Sequence, residues 1–383
     1  MSLCSGVPLV TNTEPVPLRP AVRVRAWRRL LRRGLLVLAL ALLPGGCETF
    51  TPDPAKPHHV ANSFRNNHPH AQHGLGDLLK WRWDRLMGRI PPQPDPRTVR
   101  FPLAHNDPAW LRANREQITL TWVGHATFLL QVGGLNILTD PQFSERASPF
   151  AFMGPQRIMP PGLALEELPP IDVVIVSHNH YDHLDLPSLR RLDRQWAPGH
   201  RPRFFVPLGN APLLAGEGID DVVELDWWEQ ATFRGLALHA VPVQHFSART
   251  LFDRNEALWA GWVLEHPRLR FFFTGDTGYS ADFLEIGARL GPMDLSAIAI
   301  GHYAPRWFME AMHVNPEEAV RVHKDVRSRF SVGMHWGTFP LTDEPLDEPP
   351  RRLAAAAQAA HLAPGSFIVM QHGETRVVPP RAE

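Results

Sequence analysis

A dense group of histidines with one aspartate, placed directly after an apolar run, most constrains what this chain can fold into. The apolar run covers residues 173–176 (VVIV), and the pattern His-x-His-x-Asp-His follows it at residues 178–183. Three imidazoles and a carboxylate at the mouth of a buried strand are donors that divalent metal ions bind in proteins. Histidine occupies only 20 of the 383 positions, so chance accounts poorly for such a group. The group therefore predicts half of a dinuclear metal site, and the alternative is a polar surface loop.

The other half of such a site must come from later in the chain, because two metal ions need about seven protein ligands and a shared water. Three residues have a suitable place: His245, Asp276 and His335. Each comes just after an apolar run typical of a buried strand, at residues 236–241, 269–274 and 330–334. We therefore expect one sheet edge to present all the ligands on rigid elements.

The order and spacing of these residues resemble the metallo-β-lactamase superfamily of hydrolases. The resemblance implies an α/β fold, an αββα sandwich in which two packed mixed β-sheets are flanked by helices. It also implies two Zn²⁺ ions per chain and a ligand set. The first ion would bind His178, His180 and His245, the second would bind Asp182, His183 and His335, and Asp276 would bridge them. His180 stands where di-iron members have a glutamate, which favours zinc by ligand type.

Longer strings narrow the resemblance to the family of phospholipases D that hydrolyse N-acylphosphatidylethanolamine. They include TWVGHAT from residue 121, ELDWWE from residue 224, FFFTGDTGY from residue 271, PRWFM from residue 305 and HWGTF from residue 335. The match spans roughly residues 118–375, with a weaker part around residues 64–66. It implies a zinc-dependent phosphodiesterase that uses a dizinc-bound hydroxide to release N-acylethanolamine and phosphatidic acid. The alternative is a related metallo-hydrolase of a small lactone, phosphodiester or thioester.

Further residues are candidates for supporting roles around the metal ions. Metal-bound histidines usually donate their second N–H to a carboxylate or carbonyl, and the candidates for that outer layer are Asp140, Asp185 and His125, the last of which has a buried structural role as its alternative. The predicted catalytic residues are Asp182, Asp276 and His313, with His313 protonating the leaving alkoxide. The predicted substrate contacts are His302, Tyr303, Trp307, Phe308 and Met309.

The N-terminus has the pattern of an export signal. Residues 28–33 (RRLLRR) precede an apolar run at residues 35–43, which is too short to span a bilayer, and Gly46-Cys47 follows. The pattern resembles a bacterial lipoprotein signal with Cys47 as the lipidated residue, and the alternative is a short amphipathic or disordered leader. We expect an exported lipoprotein on the periplasmic side of the cell envelope, or a membrane-associated cytoplasmic protein if the leader is not processed.

The predicted domain organisation has three parts. Residues 1–47 form the signal segment, residues 48–117 a Pro/His-rich linker and N-terminal extension, and residues 118–383 the catalytic domain. In the linker, we expect the histidines at positions 58, 59, 68, 70 and 73 to be solvated.

Charge also bears on the partners. Residues 1–46 hold seven arginines against Glu14 alone, although the whole chain has net charge zero, so the remainder is acidic. An acidic body argues against nucleic acid as a partner. The expected partners are a phospholipid substrate and a membrane surface, and a homodimer is left open.

Patterning predicts alternating strands and helices over the catalytic domain. The predicted strands are at residues 118–122, 128–132, 136–139, 173–176, 203–206, 222–225, 236–241, 259–264, 269–274, 296–300, 330–334 and 367–370. The predicted helices are at residues 75–87, 187–194, 281–288, 316–325 and 350–360.

Overall fold

Two β-sheets of seven strands each form the framework of the computed structural model, which describes residues 52–90, 98–195 and 201–381. In these ranges the strands are β1 (His59–Val60), β2 (Ser63–Phe64), β3 (Thr119–Gly124), β4 (Thr127–Val132), β5 (Leu135–Thr139), β6 (Val173–Ile175), β7 (Arg203–Pro207), β8 (Val222–Leu225), β9 (Gln230–Phe233), β10 (Leu236–Val241), β11 (Gly261–His266), β12 (Leu269–Phe273), β13 (Leu295–Ala299), β14 (Ser331–Met334), β15 (Phe367–Val369) and β16 (Thr375–Val377). The α-helices are α1 (Leu75–Leu86), α2 (Pro108–Ala113), α3 (Leu186–Arg194), α4 (Ala211–Ala215), α5 (Asp282–Leu290), α6 (Arg306–Met309), α7 (Pro316–Asp325) and α8 (Glu348–Ala359).

The two sheets repeat one arrangement. The first has the order β16-β3-β4-β5-β6-β7-β8, and the second has the order β15-β14-β13-β12-β11-β10-β9. In the first sheet the pairs from β16 to β5 are antiparallel and those from β5 to β8 are parallel. In the second, the pairs from β9 to β12 are antiparallel and those from β12 to β15 are parallel. Both sheets are therefore mixed. One edge of the first sheet, where β5 and β6 end, can lie next to the edge of the second sheet where β10, β12 and β14 end.

Two apolar layers explain why the central strands are continuous apolar runs. Phe128 and Leu130 of β4 belong to the core cluster that both sheets share, together with Trp262 of β11. Leu129, between them in sequence, belongs to the cluster that includes Leu189 of α3. Successive side chains of a strand point to opposite faces, so a sheet covered on both faces buries every residue. The fold is the expected αββα sandwich.

The predicted elements agree closely with the observed ones. Each of the twelve predicted strands and five predicted helices has a counterpart whose ends lie within two residues of the prediction. The missed elements are the short strands β1, β2, β9 and β16 and the short helices α2, α4 and α6. The predicted signal segment, with Cys47, lies outside the described residues. Among the described residues, no helix has the length and apolar character needed to cross a membrane.

In the segment before the sheets, the prediction of solvated histidines is wrong for His58, whereas the side chain of His68 is 41% exposed. His58 is buried, and its Nε2 lies 2.7 Å from Oδ1 of Asp226. Trp81 of α1 is also buried, and its indole N–H donates to Asp343 at 2.5 Å. Prolines and histidines in this segment suggested a solvated chain, but these long-range contacts dock it on the sandwich.

Candidate metal centre

The predicted ligands all lie at strand ends, at the line where the two sheets meet. In the first sheet, residues 178–183 follow β6, which the apolar core holds rigid. In the second sheet, His245 follows β10, Asp276 follows β12 and His335 follows β14. Because β10, β12 and β14 run in the same direction, their carboxyl ends share one edge.

Three histidines form the first group of converging nitrogens. Nε2 of His178 lies 2.8 Å from Nδ1 of His180, and that Nδ1 lies 3.3 Å from Nε2 of His245. These three atoms belong to side chains that the resemblance assigns to the first ion. The arrangement brings together His178 and His180 from one sheet and His245 from the other.

The second group adds a carboxylate to two histidines. Nε2 of His183 lies 3.0 Å from Nε2 of His335, and Oδ2 of Asp182 lies 3.3 Å from the first and 3.4 Å from the second. Asp276 lies between the two groups. Its Oδ2 is 3.1 Å from Nε2 of His183 and 3.9 Å from Nε2 of His178 and of His245, and its Oδ1 is 3.0 Å from Nε2 of His335. The structure therefore brings all seven predicted ligands together.

The hydrogen bonds of the outward-facing ring nitrogens show that these residues fit metal ions. Each outward Nδ1 has a partner: His178 with Oγ of Ser177, His183 with Oδ2 of Asp140, and His245 with the carbonyl of Met312. In a neutral ring such as that of His178 or His245, an Nδ1 that donates outward leaves Nε2 with a bare lone pair that points inward. Lone pairs that face one another at about 3 Å repel unless a cation lies between them, and a tetrahedral ion with bonds of about 2 Å separates its ligands by about 3.3 Å.

Burial and neighbouring charges shift the pKa values of the ligand rings in opposite directions. Burial lowers the pKa of His178 and of His245 well below the usual histidine value, and lowers that of His180 to about 4. These three rings are therefore neutral near pH 7, as metal ligands must be. Burial also acts against a charged His183, but the carboxylates of Asp276 and Asp182 outweigh it and raise the pKa of that ring well above its usual value.

The outer layer contains two of the three predicted partners. Asp140 is fully buried, and its Oδ2 accepts from Nδ1 of His183 at 2.7 Å and from the Ser177 hydroxyl at 2.6 Å. His125 places Nε2 2.9 Å from Oδ2 of Asp182. Asp185 contacts no ligand: its carboxylate accepts from the amide and hydroxyl of Ser144 and from the hydroxyl of Ser188. Asp185 is close to His183 in sequence, which suggested a contact with that ring. Its carboxylate instead lies at the start of α3 and bonds to Ser144 and Ser188.

Backbone conformations at the strand ends also mark the site. His125, Asp140, His302 and His335 have φ values of 53°, 33°, 64° and 63°. This left-handed region is costly for residues other than glycine, and such residues concentrate at functional sites. Each of the four makes a hydrogen bond with another residue of the site.

His302 and Tyr303 do not take the predicted positions at the substrate. His302 is buried, with Nδ1 2.9 Å from Nδ1 of His335 and Nε2 3.0 Å from the carbonyl of Phe339. It therefore lies behind a ligand and fixes its tautomer. Tyr303 is buried on the other side of the segment, where its hydroxyl donates to Glu348 at 2.6 Å.

His313 and the three apolar candidates lie on the side where α1 packs. Nδ1 of His313 is 3.8 Å from Oδ2 of Asp276 and has no hydrogen-bond partner among the described residues. Phe308 and Met309 are buried against Trp81, whereas Trp307 is 41% exposed. The structure thus brings His313 to the metal centre and places the three apolar residues beside it.

Sequence reasoning missed Ser177, Met312 and Asn66, which all hold ligands in place. Ser177 connects Asp140 with His178, Met312 acts through its carbonyl, and Asn66 binds the backbone of His245 on both sides, at 2.9 and 3.1 Å. Main-chain acceptors carry no signal in the residue types. Asn66 lies in one of the strings that carry the resemblance, but an amide is not a typical zinc ligand.

Comparison with known proteins agrees with this geometry. The model of the beta-lactamase superfamily domain matches residues 135–336, more than half of the chain. The chain belongs to the metallo-β-lactamase superfamily. The N-acyl-phosphatidylethanolamine-hydrolyzing phospholipase D 1 of Caenorhabditis elegans is 43% identical over 266 residues, which cover 66% of this chain and 74% of the relative. The protein is thus a metallo-hydrolase of the superfamily that resembles these phospholipases.

Two more proteins resemble this chain, one by sequence and one by structure. The mitochondrial N-acyl-phosphatidylethanolamine-hydrolyzing phospholipase D of Saccharomyces cerevisiae is 38% identical over 247 residues, 62% of this chain and 51% of that protein. Igni18, a metallo hydrolase from Ignicoccus hospitalis, has a TM-score of 0.51 at 24% identity, with 68% of this chain and 98% of that structure covered. The second likeness supports the fold alone.

Proposed function

We propose that this protein is a zinc-dependent phosphodiesterase that hydrolyses N-acylphosphatidylethanolamine to N-acylethanolamine and phosphatidic acid. The observation that carries the proposal is a metal centre bordered by exposed apolar side chains, in a chain related to phospholipases of that activity. A membrane-bound phosphodiester needs both features: metal ions to stabilise charge on the phosphate, and an apolar border that can contact lipid.

The donor set supports zinc as the metal. Five imidazoles and two carboxylates match the nitrogen-rich ligation that zinc prefers, and the described residues around the centre contribute no thiolate. The ions would lie at His178, His180 and His245 and at Asp182, His183 and His335, with Asp276 shared. When bound, zinc supplies Lewis-acid stabilisation of phosphate charge and lowers the pKa of water to near neutral.

His313 is the residue best placed to move a proton. Its Nδ1 lies 3.8 Å from Oδ2 of Asp276, and burial lowers the pKa of the ring to about 4, so the ring is neutral near pH 7. A neutral imidazole can accept the proton that the attacking water loses. It can then return that proton to the alkoxide oxygen of the departing N-acylethanolamine, and the P–O bond breaks without forming a free alkoxide.

Helix α1 provides the largest part of the apolar border. On its packed face, Trp81 lies on Phe308 with the rings 5.3 Å apart. Met312 packs against the same cluster and holds His245 through its carbonyl. The opposite face is exposed along one helical stripe that consists of Leu75, Leu79, Trp83, Leu86 and Met87. Lys80 and Arg82 lie beside the stripe, where Lys80 pairs with Asp84 at 2.7 Å. Arg85 turns to the packed face and pairs with Asp343 at 3.1 Å. A helix with large apolar residues on one face and basic residues beside them is suited to a membrane surface.

Two loops and Trp307 expose further apolar side chains. Loop 249–254 exposes Leu251 and Phe252, and its Arg254 stacks on Phe246, which contacts the ring of His180. Loop 146–155 exposes a further group, Phe150, Phe152 and Met153. Eleven of the fifteen large apolar side chains that are exposed in the described part of the chain belong to α1 with the following Met87, to these loops and to Trp307. Large apolar side chains that are exposed together on one helix face, as on α1, favour contact with lipid or protein.

Substrate identity can be tested directly. Zinc-loaded protein is incubated with vesicles that contain N-acylphosphatidylethanolamine and, separately, with a panel of lactones, thioesters and small phosphodiesters. We expect N-acylethanolamine and phosphatidic acid in equal amounts from the vesicles, measured by mass spectrometry. Turnover of a lactone or thioester without release of N-acylethanolamine would contradict the proposal and favour the small-substrate alternative.

The role of the apolar border needs a matched pair of variants. Leu79→Ser changes an exposed leucine of α1, whereas Val377→Ser changes an equally exposed residue that pairs with Thr119, at the end of β3 opposite His125. Leu79→Ser should lower turnover of vesicle substrate and leave turnover of a soluble glycerophospho-N-acylethanolamine unchanged. Val377→Ser should affect neither. Equal effects of the two variants on vesicles would count against a lipid-facing border.

A membrane location also belongs to this proposal. The predicted lipid on Cys47 would anchor the exported protein and bring the apolar border to its substrate. Mass spectrometry of the mature N-terminus tests this part, because an unprocessed Met1 contradicts export.

A further inference from the structure

The side-chain amide of Asn66 holds the backbone of the metal ligand His245 on both sides. Its Nδ2 donates to the carbonyl of His245 at 2.9 Å, and its Oδ1 accepts from the amide N–H of His245 at 3.1 Å. The same Oδ1 accepts from the indole N–H of Trp259 at 3.1 Å. Asn66 therefore provides the hydrogen bonds that a neighbouring strand would otherwise provide to the backbone of His245, because β10 ends at Val241 and residues 246–260 form no regular element.

A hydrogen bond of the imidazole ring fixes the orientation of the His245 side chain. Nδ1 lies 3.0 Å from the carbonyl of Met312, which fixes both the tautomer and the plane of the imidazole. With the backbone held by Asn66 and the ring held by Met312, Nε2 has one direction, toward Nδ1 of His180 at 3.3 Å. Binding geometry of this kind must be held within about 0.5 Å to be effective.

A buried ionic cluster fixes the segment that carries Asn66. The carboxylate of Asp226 has no exposed surface and lies 2.6 Å from Nζ of Lys56, 2.7 Å from Nε2 of His58 and 2.9 Å from Nε2 of His59. Phe64 adds a buried ring and an N–H that donates to the carbonyl of Asn255 at 2.8 Å. The segment 56–66 is thus attached at both ends.

The same cluster has donors of the kind that bind metals, but its charges favour an anchor. His58, His59 and Asp226 could together present three ligand atoms to one ion. The ammonium of Lys56, however, already occupies the cation position, where it contacts both Asp226 and Glu229, the latter at 2.8 Å. A buried carboxylate with an ammonium partner needs no further cation, so the cluster stabilises the docked segment.

We propose that Asn66 is a positioning residue for His245, and that the segment 56–66 is therefore a structural part of the metal centre. This inference rests on the proposed dinuclear zinc function. It assigns a purpose to the strings around residues 64–66 and 224–229: the second string supplies Asp226, which anchors the segment, and the first supplies the amide that sets a ligand. Loss of the Asn66 amide should weaken the ion at His178, His180 and His245 and spare the ion at Asp182, His183 and His335.

The test compares Asn66→Ala with Asn67→Ala in the full-length protein. Asn67 is the matched control because its amide donates to Asp282 at 2.9 Å and contacts no ligand. Zinc stoichiometry and the two affinities are measured on metal-free protein by chelator competition, and the visible spectrum of the cobalt-substituted protein reports the ligand field. Asn66→Ala should weaken one of two ions about 10- to 100-fold, as loss of an outer partner does, and change the cobalt spectrum. Asn67→Ala should do neither.

Asn66→Asp keeps the inference testable if the alanine variant does not fold. Aspartate retains the acceptor for the N–H groups of His245 and Trp259, but it replaces the donor to the His245 carbonyl by a carboxylate oxygen that repels that carbonyl. A loss of affinity for the same ion is therefore expected. If a folded Asn66 variant binds both zinc ions with the affinities of the wild type, the positioning role of Asn66 is overturned, and the dinuclear function is not affected. Wild-type protein that binds fewer than two zinc ions would instead contradict the dinuclear function.

Discussion

Asp140→Asn tests whether the outer hydrogen bonds control metal binding. Oδ2 of Asp140 accepts from Nδ1 of His183 at 2.7 Å and from the hydroxyl of Ser177 at 2.6 Å, and Oδ1 accepts from the amide of Ser177 at 2.6 Å. Asparagine tolerates the left-handed backbone of this position. If its carbonyl keeps the Ser177 amide, its NH₂ group faces Nδ1 of His183. That ring must then carry its proton on Nε2, the nitrogen that faces Asp182 and His335.

The magnitude follows from the bond that is lost. A hydrogen bond to a charged group contributes about 1.5–3 kcal/mol, and each 1.4 kcal/mol is about tenfold in affinity. Asp140→Asn should therefore weaken zinc binding at Asp182, His183 and His335 about 10- to 100-fold, which agrees with the usual effect of outer partners of metal ligands. Zinc affinity is measured on metal-free protein with a chromophoric chelator at fixed pH.

Asp185→Asn is the matched control for this measurement. Asp185 is also a buried carboxylate of the same region, but among the described residues its side chain accepts from Ser144 and Ser188 and from none of the predicted ligands. Its amide variant should bind zinc like the wild type. Unchanged affinity in Asp140→Asn, or an equal loss in Asp185→Asn, would refute the reasoning that Asp140 acts through the ring of His183.

Three further outcomes are expected. Asp276→Ala removes the one carboxylate that lies between both groups of ligands, so metal content and hydrolysis should fall together, and full activity with one zinc per chain would contradict this. His302→Leu removes the acceptor for Nδ1 of His335 and should weaken zinc about 10- to 100-fold in the same chelator assay; an unchanged affinity would show that another acceptor replaces it. Although burial opposes a charged His183, Asp276 and Asp182 raise its pKa well above 6.5, so a proton occupies the ligand nitrogen until the pH passes that raised value. Zinc affinity should therefore increase as the pH rises above 6.5, and a pH-independent affinity would contradict it.

The ligand set could be predicted because each ligand follows a buried strand. Val173 to Ile175, for example, contribute to both apolar layers, and such a run is visible in the sequence as continuous hydrophobicity. The strand β9 escaped prediction since its residues are alternately exposed and half-buried and include Gln230 and Thr232. Strong burial leaves a clear pattern in sequence, and a half-exposed edge strand does not.

The details of the outer layer could not be predicted for a different reason. His302 and Tyr303 are adjacent, yet one contacts His335 and the other contacts Glu348, because the backbone at His302 has a left-handed conformation. Asn66 is 179 positions from the ligand that it holds. Contacts of this kind depend on the assembled structure, whereas residue types and local spacing carry no record of them.

The position of the ligands at the line between the two sheets has a consequence for folding. His178 and His180 extend from one sheet and His245 from the other, so a single ion would join two layers that are far apart along the chain. An ion that binds only the folded state stabilises it by about 4 kcal/mol at a thousandfold excess over its dissociation constant. Because the two sheets also share one apolar core, metal availability would then add to the stability of the whole sandwich, and a chelator would lower its unfolding temperature.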